Sequence, residues 1–136
     1  DDVLLDALCM AARRGIDLRL VLPRRSNHRL ADLAREGYLS QLQESGARIL
    51  LFRPRMLHAK ALIIDDAVAV TGSANLDMRS LMLNYELALW IYSPEKVRQL
   101  ESWMRGLMEA CTERRPHTNP TLAVLEGIGR LFAPLL

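Results

Sequence analysis

A strand–helix–strand pattern in the first half of the chain places the strongest constraint on its fold. Residues 17–22 alternate polar and apolar side chains and then become fully apolar, and residues 48–52 form a second apolar run. Between the two runs apolar residues recur at helical spacing as far as Gly46, with Gly37 as a candidate break. Two strands joined through one helix form a parallel pair with a right-handed crossover, so we expect an α/β domain built on a parallel sheet.

Periodicity and turn residues predict the other elements. A helix is expected over residues 2–14, and a hairpin over residues 57–71 is expected to turn at Asp65-Asp66. The remaining segments are an irregular loop at 73–83, a strand at 85–92, a helix beginning at Pro94 with Ser93 as its cap, a basic linker at 114–120 and an apolar helix at 121–136.

Length, charge and cysteine content limit the possible classes of protein. The 136 residues suffice for one domain, which we expect to span residues 1–136. The net charge of +2 lacks the basic excess typical of nucleic-acid-binding domains, so nucleic acid is not an expected partner. Cys9 and Cys111 are isolated, which favours a reducing compartment. No apolar run reaches the roughly 18 residues of a membrane-spanning helix, and a chain that begins at Asp1 is expected to be a piece of a longer protein.

The residues with chemical potential cluster around the predicted hairpin. Alternation along a strand would project His58 and Lys60 from one face. An imidazole can attack phosphorus or move a proton, and an ammonium beside it stabilises charge on phosphate oxygens. After the second strand, Ser73 and Asn75 can direct a hydroxyl and an amide toward the same phosphate. These four side chains therefore predict a phosphate-binding and phosphate-attacking site.

Asp65 and Gly72 are expected to play structural parts. Asp65 falls on the opposite parity from His58, so we expect it to cap the turn and to accept backbone donors. Gly72 is expected to let the chain bend sharply after the second strand. Either half of the pattern alone is an ordinary turn or strand, and only their joint occurrence at this spacing is specific.

The spacing His-x-Lys-x4-Asp-x6-Gly-Ser-x-Asn over residues 58–75 resembles the HKD signature of the phospholipase D superfamily, and it matches without a gap. Asn84-Tyr85-Glu86 is similar to a further part of that signature on a following strand. The resemblance implies an α/β/α sandwich in which a mixed, largely parallel sheet is covered by helices on both faces. It also implies that Glu86 orients and charges His58.

Within that superfamily the chain resembles in particular the C-terminal half of bacterial cardiolipin synthases. The likeness lies in residues 56–60, 72–81 and 84–86 and extends to the opening helix and the C-terminal ending. Such enzymes carry two HKD motifs with the active site between the halves, whereas this chain carries one. His28 and His117 have no lysine two residues later and do not supply a second copy. The core strand expected before the first helix is also missing.

The resemblance implies a two-step exchange at a phosphodiester, without metal or cofactor. One histidine attacks phosphorus and the other protonates the departing alcohol; which of them His58 is stays open. Lys60 and Glu86 would also be catalytic, and Asn75 and Ser73 would bind or support the phosphate. The implied substrate is phosphatidylglycerol, with glycerol released. The implied partners are a second HKD half, from the parent chain or a homodimer, and a membrane surface, with the parent protein at the cytoplasmic face of the bacterial inner membrane and this piece soluble.

Two other functions remain as alternatives. A single-motif homodimer resembles the nucleases of the superfamily, although the modest net charge and the lack of interleaved aromatic and basic residues stand against nucleic acid. The third hypothesis is a catalytically silent fragment that pairs with its missing half or with a membrane. The apolar side of residues 121–136 is expected to dock on the chain's own core or on that half, with a bilayer interface as the alternative. Trp90 and Trp103 are expected to lie in the core.

Overall fold

The computed structural model describes residues 2–24, 29–54 and 56–115. Predictions that fall outside these ranges concern His28, His117, the linker beyond residue 115 and the apolar helix at 121–136.

The described chain forms two compact units. We call Leu57–Ala110 the motif unit, and Asp2–Met56 with residues 111–115 the framework unit. A single domain over residues 1–136 stays a prediction. The elements are α1 (Asp2–Arg13), β1 (Arg19–Pro23), α2 (Arg29–Glu44), β2 (Arg48–Phe52), β3 (Ala61–Ile64), β4 (Val68–Gly72), α3 (Met78–Met82), β5 (Ala88–Ile91), α4 (Pro94–Glu109) and β6 (Cys111–Glu113).

The strand–helix–strand pattern forms the centre of the framework unit. β1 and β2 pair in parallel, with Arg19 opposite Arg48 at one end and Pro23 opposite Phe52 at the other. This confirms the parallel crossover predicted from the sequence. α2 continues through Gly37 without the break that the sequence suggested there.

The core of the framework unit lies between its helices and the sheet. α1 contacts α2, and α2 contacts β2. Ile49 on β2 is completely buried, and burial of a side chain of this size contributes roughly 1.5–3 kcal/mol to stability. Neither cysteine forms a disulfide, and the Cys9 thiol donates to the carbonyl of Gln41. The buried cluster consists of Leu5, Cys9, Ala12, Leu39, Leu42, Ala47 and Ile49.

A short strand after α4 was not predicted. β6 pairs antiparallel with β2, and the amide of Arg114 extends this pairing to the carbonyl of Ile49 at 2.8 Å. The Arg114 side chain, expected in a solvated linker, is only 4% exposed. Its guanidinium donates to Glu36 at 2.7 Å, to Ser40 at 3.0 Å and to Gln43, all on α2. Arg114 is therefore a structural tie between β6 and α2.

Replacing Arg114 with alanine is expected to lower the free energy of unfolding by about 2 kcal/mol, because it removes the buried guanidinium and its hydrogen bonds to one carboxylate and two polar side chains. Urea denaturation followed by circular dichroism measures the change. Arg48→Ala is the matched control, since the Arg48–Glu113 pair lies in the same unit with both side chains about half exposed. That control should lose no more than about 0.5 kcal/mol. Equal losses in the two variants would contradict the structural role of Arg114.

The motif unit is a three-stranded antiparallel meander in the order β3-β4-β5. The predicted hairpin is present, and the amide of Ala67 donates to the carbonyl of Ile64 across the turn at 3.0 Å. Asp65 and Asp66 are the two central residues of this turn and both adopt positive φ, 49° and 54°, a conformation in which aspartate is enriched. Such a turn can only join antiparallel strands. The mixed α/β class is confirmed, while within the described residues the β1–β2 pair is parallel and the other strand pairs are antiparallel.

One helix covers part of this sheet. α4 contacts β4, and Val97 on α4 and Ala69 on β4 are both completely buried. Pro94 occupies the first turn of α4, as predicted, and Ser93 is its N-cap residue by backbone position, without a capping bond from its side chain. No helix within the described ranges has both the length and the apolar character needed to cross a bilayer.

The expected burial of the two tryptophans is wrong. Trp90 is 56% exposed and Trp103 is 43% exposed. Apolar spacing groups side chains on one face of an element, but it does not tell whether this chain supplies the residues that cover that face.

Candidate functional site

The predicted site residues meet at one end of the meander. Antiparallel strands reverse direction at each connection, so the start of β3, the end of β4 and the start of β5 lie together. His58 and Lys60 come just before β3, Ser73 and Asn75 just after β4, and Glu86 just before β5.

His58 and Lys60 are in direct contact. The Lys60 ammonium lies 3.0 Å from Nε2 and 3.2 Å from Nδ1 of the imidazole, and it also donates to the carbonyl of His58 at 3.0 Å. The two residues come together, as predicted, but they precede the strand, because pairing with β4 begins only at Ala61. His58 is exposed and Lys60 is half-buried, so the imidazole is open to a ligand.

The backbone at Lys60 is fixed by the neighbouring strand. Its carbonyl accepts hydrogen bonds from the Thr71 hydroxyl at 2.9 Å and from the Gly72 amide at 3.3 Å. Sequence reasoning missed Thr71. Thr71 lies on β4 directly opposite Ala61, the first residue of β3. Its hydroxyl could have been assigned this role only if the hairpin register had been known. Thr71 therefore holds the Lys60 backbone and with it the start of the ammonium-bearing side chain.

Ser73 joins the end of β4 to the start of β5. Its amide donates to the carbonyl of Leu87 at 2.9 Å, and its hydroxyl accepts from the amide of Leu87 at 3.0 Å. The same hydroxyl donates to the Glu86 carboxylate. Glu86 is thus partnered but exposed, and among the described residues its side-chain partner is Ser73 rather than His58. The roles predicted for Glu86 toward His58 and for Ser73 toward a phosphate stay predictions.

Gly72 is needed for close approach of two backbones. A Cβ at this position would lie 2.0 Å from the carbonyl oxygen of Leu87 and 3.1 Å from the Cα of Ala88. Gly72 is not among the glycines with positive φ, which in the described residues are Gly15 and Gly46. The expectation of a structural glycine therefore acquires a different physical reason, which is contact between β4 and β5 rather than a sharp bend.

The other two predicted residues lie where the motif spacing places them. Asp65 is at the first central position of the hairpin turn, at the far end of β3 from His58. Asn75 is exposed two residues after Ser73. The segment after Asn75 is anchored by Asp77, whose carboxylate accepts from the amide of Ser80 at 2.7 Å and caps α3.

An open hollow of about 490 Å³ lies in the framework unit. Two of the cations that line it are engaged in ion pairs, Arg48 with Glu113 and Arg114 with Glu36. The hydrogen bond from Arg48 lowers the pKa of the Glu113 carboxyl, so this pair stays ionised at neutral pH. We place no site in this hollow.

The arrangement suits chemistry at a phosphodiester. It presents an exposed imidazole, an ammonium 3.0 Å away, an exposed amide and a hydroxyl–carboxylate pair at one end of a sheet. The imidazole can attack or move a proton, and the cation stabilises negative charge that develops on phosphate oxygens. Among the described residues, no three His, Cys, Asp or Glu side chains are grouped to hold a metal ion.

Comparisons with known proteins give consistent similarities. The family model described as "Cardiolipin synthase, PLD-like domain" matches residues 1–108. A cardiolipin synthase of Listeria monocytogenes serotype 4a (strain HCC23) is 31% identical over 140 residues, covering 100% of this chain and 29% of that protein. Cardiolipin synthase 2 of Bacillus anthracis is 34% identical over 144 residues, covering 100% and 27%. The chain thus spans less than a third of these curated relatives. The crystal structure of Nuc from Salmonella typhimurium, a phospholipase D family member, is similar with a TM-score of 0.70 and 25% identity, over 82% of this chain and 72% of that one.

Proposed function

Because this chain belongs to the family of cardiolipin synthase PLD-like domains, we propose that it is one half-site of a phosphatidyltransferase that works through a phosphohistidine. The proposed reaction forms cardiolipin from two phosphatidylglycerols and releases glycerol. In the parent protein we place this reaction at the cytoplasmic face of a bacterial inner membrane. Curated relatives named cardiolipin synthase support the substrate class, although the chain spans less than a third of their length.

The contact between His58 and Lys60 carries the proposal. The ammonium lies 3.0 Å from Nε2. A phosphate attacked by this imidazole would therefore have a positive charge beside its oxygens. Asn75 would hold another phosphate oxygen. Ser73 would support the phosphate, and it also orients Glu86 through its hydroxyl. Ser73 would therefore contact both the substrate and another residue of the site.

The chemistry requires two imidazoles. In the first step one imidazole nitrogen bonds to the phosphorus of a phosphatidylglycerol, the bond from phosphorus to the glycerol oxygen breaks, and the second imidazolium gives that oxygen a proton. In the second step the second imidazole takes the proton from a hydroxyl of another phosphatidylglycerol. That oxygen bonds to phosphorus as the phosphorus–nitrogen bond breaks, which regenerates the neutral imidazole of the first histidine and the imidazolium of the second.

The second imidazole must come from another HKD half. Within the described residues His58 is the histidine present, and it is exposed together with Ser73, Asn75 and Glu86. An intermediate formed on such an open surface would be hydrolysed, because water has free access to it. A second half, from the parent chain or from another copy, would supply the missing group and exclude water. In a homodimer either copy of His58 can attack.

Incubation of the purified chain with phosphatidylglycerol in detergent micelles tests the proposal. The expected products are cardiolipin and glycerol in equal amounts, measured by mass spectrometry, and none in the His58→Ala variant. Equal product from that variant would contradict the role of His58, and no product from the wild-type chain would favour a silent fragment.

A phospholipase D-type nuclease is the second candidate. The observation that favours it is the similarity to Nuc, which the chain matches over 72% of that protein's length, so a chain of similar size exists in this family. Single-stranded and duplex DNA and RNA belong in the same assay. Cleavage that depends on His58, without exchange of phosphatidylglycerol, would replace the proposed function by this one.

A further inference from the structure

Two arginines occupy neighbouring positions at the carboxyl end of the parallel strands. β1 and β2 end at Pro23 and Phe52, which are paired. The next residue in each case is an arginine, Arg24 and Arg53, and we call these two residues the arginine pair. The amide of Arg24 donates to the carbonyl of Phe52 at 2.9 Å, so the two backbones stay adjacent beyond the strands. In open α/β sheets the carboxyl end of the strands is where ligands usually bind.

The arginine pair has no acidic partner among the described residues. The Arg24 side chain makes no hydrogen bond or ion pair there, and Arg53 donates through Nε to the Thr112 hydroxyl at 2.9 Å. Both arginine side chains are exposed. A guanidinium has five N–H donors, so the bond from Nε leaves the other donors of Arg53 available to a ligand. Two such groups at one edge of a sheet suit an anion that accepts several hydrogen bonds.

The arginines at the other end of the same strands are neutralised within the chain. Arg19 and Arg48 lie directly opposite each other in the register. Arg19 is ion-paired with Asp17, and Arg48 with Glu113. The arginine pair at the carboxyl end therefore presents positive charge that the described part of the chain does not neutralise.

The composition around the arginine pair fits a phospholipid better than a nucleic acid. Residues 24–29 contain three arginines, residues 53–60 contain two arginines and a lysine, and neither segment contains aspartate or glutamate. Neither contains Phe, Trp or Tyr, and the side chains of Pro54 and Met56 are exposed. Sites for single-stranded nucleic acids usually place aromatic side chains among the basic ones, whereas anionic lipid headgroups are attracted by clusters of lysine and arginine alone.

The proposed exchange brings two phosphates together and attacks only one of them. Each phosphatidylglycerol carries a negatively charged phosphodiester, so the acceptor lipid is repelled by the lipid under attack. In the motif unit the Lys60 ammonium is the cation in contact with His58. Arg53 precedes His58 by five residues, so the segment that leaves β2 leads to the half-site. A separate cationic site for the acceptor phosphate would offset the repulsion.

We propose that the arginine pair binds the phosphate of the acceptor phosphatidylglycerol, the lipid whose phosphorus is not attacked. This role rests on the proposed function, whereas the binding can be measured without turnover. The guanidinium groups hold the phosphate oxygens by charge-assisted hydrogen bonds, each of which changes affinity by about 10-fold. The acceptor keeps its own phosphodiester bonds intact. Its glycerol hydroxyl gives the proton to the second imidazole, and its oxygen bonds to phosphorus as the phosphorus–nitrogen bond breaks.

Isothermal titration calorimetry with soluble dihexanoyl phosphatidylglycerol tests the binding. The full chain carries Lys60→Ala, so that the cation of the half-site does not contribute. Adding Arg24→Gln/Arg53→Gln should weaken binding at least 10-fold. The matched control Arg19→Gln/Arg48→Gln removes the same charges at the far end of the same strands and should bind within about twofold of its parent, because salt screens charges at that distance. Circular dichroism checks that all the chains are folded.

Two products of the exchange test the role of the site. Incorporation of labelled glycerol into phosphatidylglycerol reverses the first step and needs no acceptor phosphate, whereas formation of cardiolipin needs the acceptor lipid. In the chain that retains Lys60, Arg24→Gln/Arg53→Gln should lower kcat/KM for cardiolipin formation at least 10-fold and glycerol incorporation by less than about threefold.

Each outcome decides the proposal. Absence of binding at about 10 mM lipid, equal weakening in both double variants, or equally tight binding of inorganic phosphate overturns the assignment to a phospholipid. So does tighter binding of a DNA oligonucleotide through the arginine pair, which would assign the pair to nucleic acid. Equal loss of cardiolipin and of glycerol incorporation overturns the acceptor role.

The proposed function can fail separately. A chain that binds the lipid through the arginine pair but exchanges neither product supports the pair as a phospholipid site and sinks the proposed function together with the acceptor role. Cardiolipin formation that is unchanged in Arg24→Gln/Arg53→Gln supports the proposed function and overturns the acceptor site.

Discussion

Replacing Lys60 with alanine is expected to reduce exchange of phosphatidylglycerol by about 100- to 1,000-fold. The ammonium lies 3.0 Å from Nε2 of His58, so its removal takes away the positive charge that contacts this imidazole. Removal of a group that stabilises only the developing charge lowers kcat and kcat/KM together, because that group interacts less with the substrate in its ground state. Steady-state kinetics with phosphatidylglycerol measures this change.

The Lys60 side chain is half-buried and its partners are on His58, so the free energy of unfolding should change by less than about 0.5 kcal/mol. Lys96→Ala is the control variant, since Lys96 is an exposed lysine of the same unit that donates to Gln99 at 3.2 Å. The control should keep wild-type turnover. Near-normal turnover in the Lys60 variant would show that Lys60 does not have the proposed phosphate-binding role.

Sequence patterns predict family and fold class well because these depend on short-range information. Residues 58–75 and 84–86 identify the phospholipase D superfamily, which the family match confirms. The parallel crossover and the α/β class follow from alternation, helical spacing and the Asp65-Asp66 turn, and the similarity to Nuc is consistent with the α/β/α sandwich. The strand β2 at Arg48–Phe52 has the bounds predicted from its apolar run.

The errors concern features that depend on long-range pairing. β6 has only three residues and no alternation, and it becomes a strand because β2 offers a free edge. Arg114 looks like part of a basic linker, and only the position of α2 shows that its guanidinium is bonded to three side chains. Spacing also predicted that Trp90 and Trp103 are buried, whereas burial depends on partners that spacing does not describe.

The sequence predicted which residues belong to the site, and their roles stay predictions, but it did not predict their hydrogen bonds. His58 and Lys60 were expected to project together from a strand and instead meet in the segment before β3. The role of Glu86 toward His58 stays a prediction, and the observed side-chain partner of Glu86 is Ser73. That pairing follows from the close approach of β4 and β5 at Gly72, which no local pattern reports.

Replacing Gly72 with alanine is therefore expected to lower the free energy of unfolding of the motif unit by about 2–4 kcal/mol and to abolish exchange. The added Cβ would lie 2.0 Å from the Leu87 carbonyl oxygen, and because its nearest neighbours are backbone atoms, β5 has to move away from β4. The movement breaks the two hydrogen bonds between Ser73 and Leu87, each contributing about 1 kcal/mol, and displaces Glu86 from the Ser73 hydroxyl.

Urea denaturation followed by the fluorescence of Trp90, which pairs with Val70 across β4 and β5, measures the loss of stability. Trp103→Phe in the background removes the other tryptophan. Gly106→Ala is the matched control, because a Cβ at that position of α4 meets no atom within 4 Å. Alanine is the better helix former by about 1 kcal/mol, so this control should become slightly more stable and keep its turnover. If Gly72→Ala kept the wild-type midpoint, the close approach of β4 and β5 would not be what positions Glu86. If it lost stability but kept turnover, the Ser73–Glu86 pair would be unnecessary for the exchange.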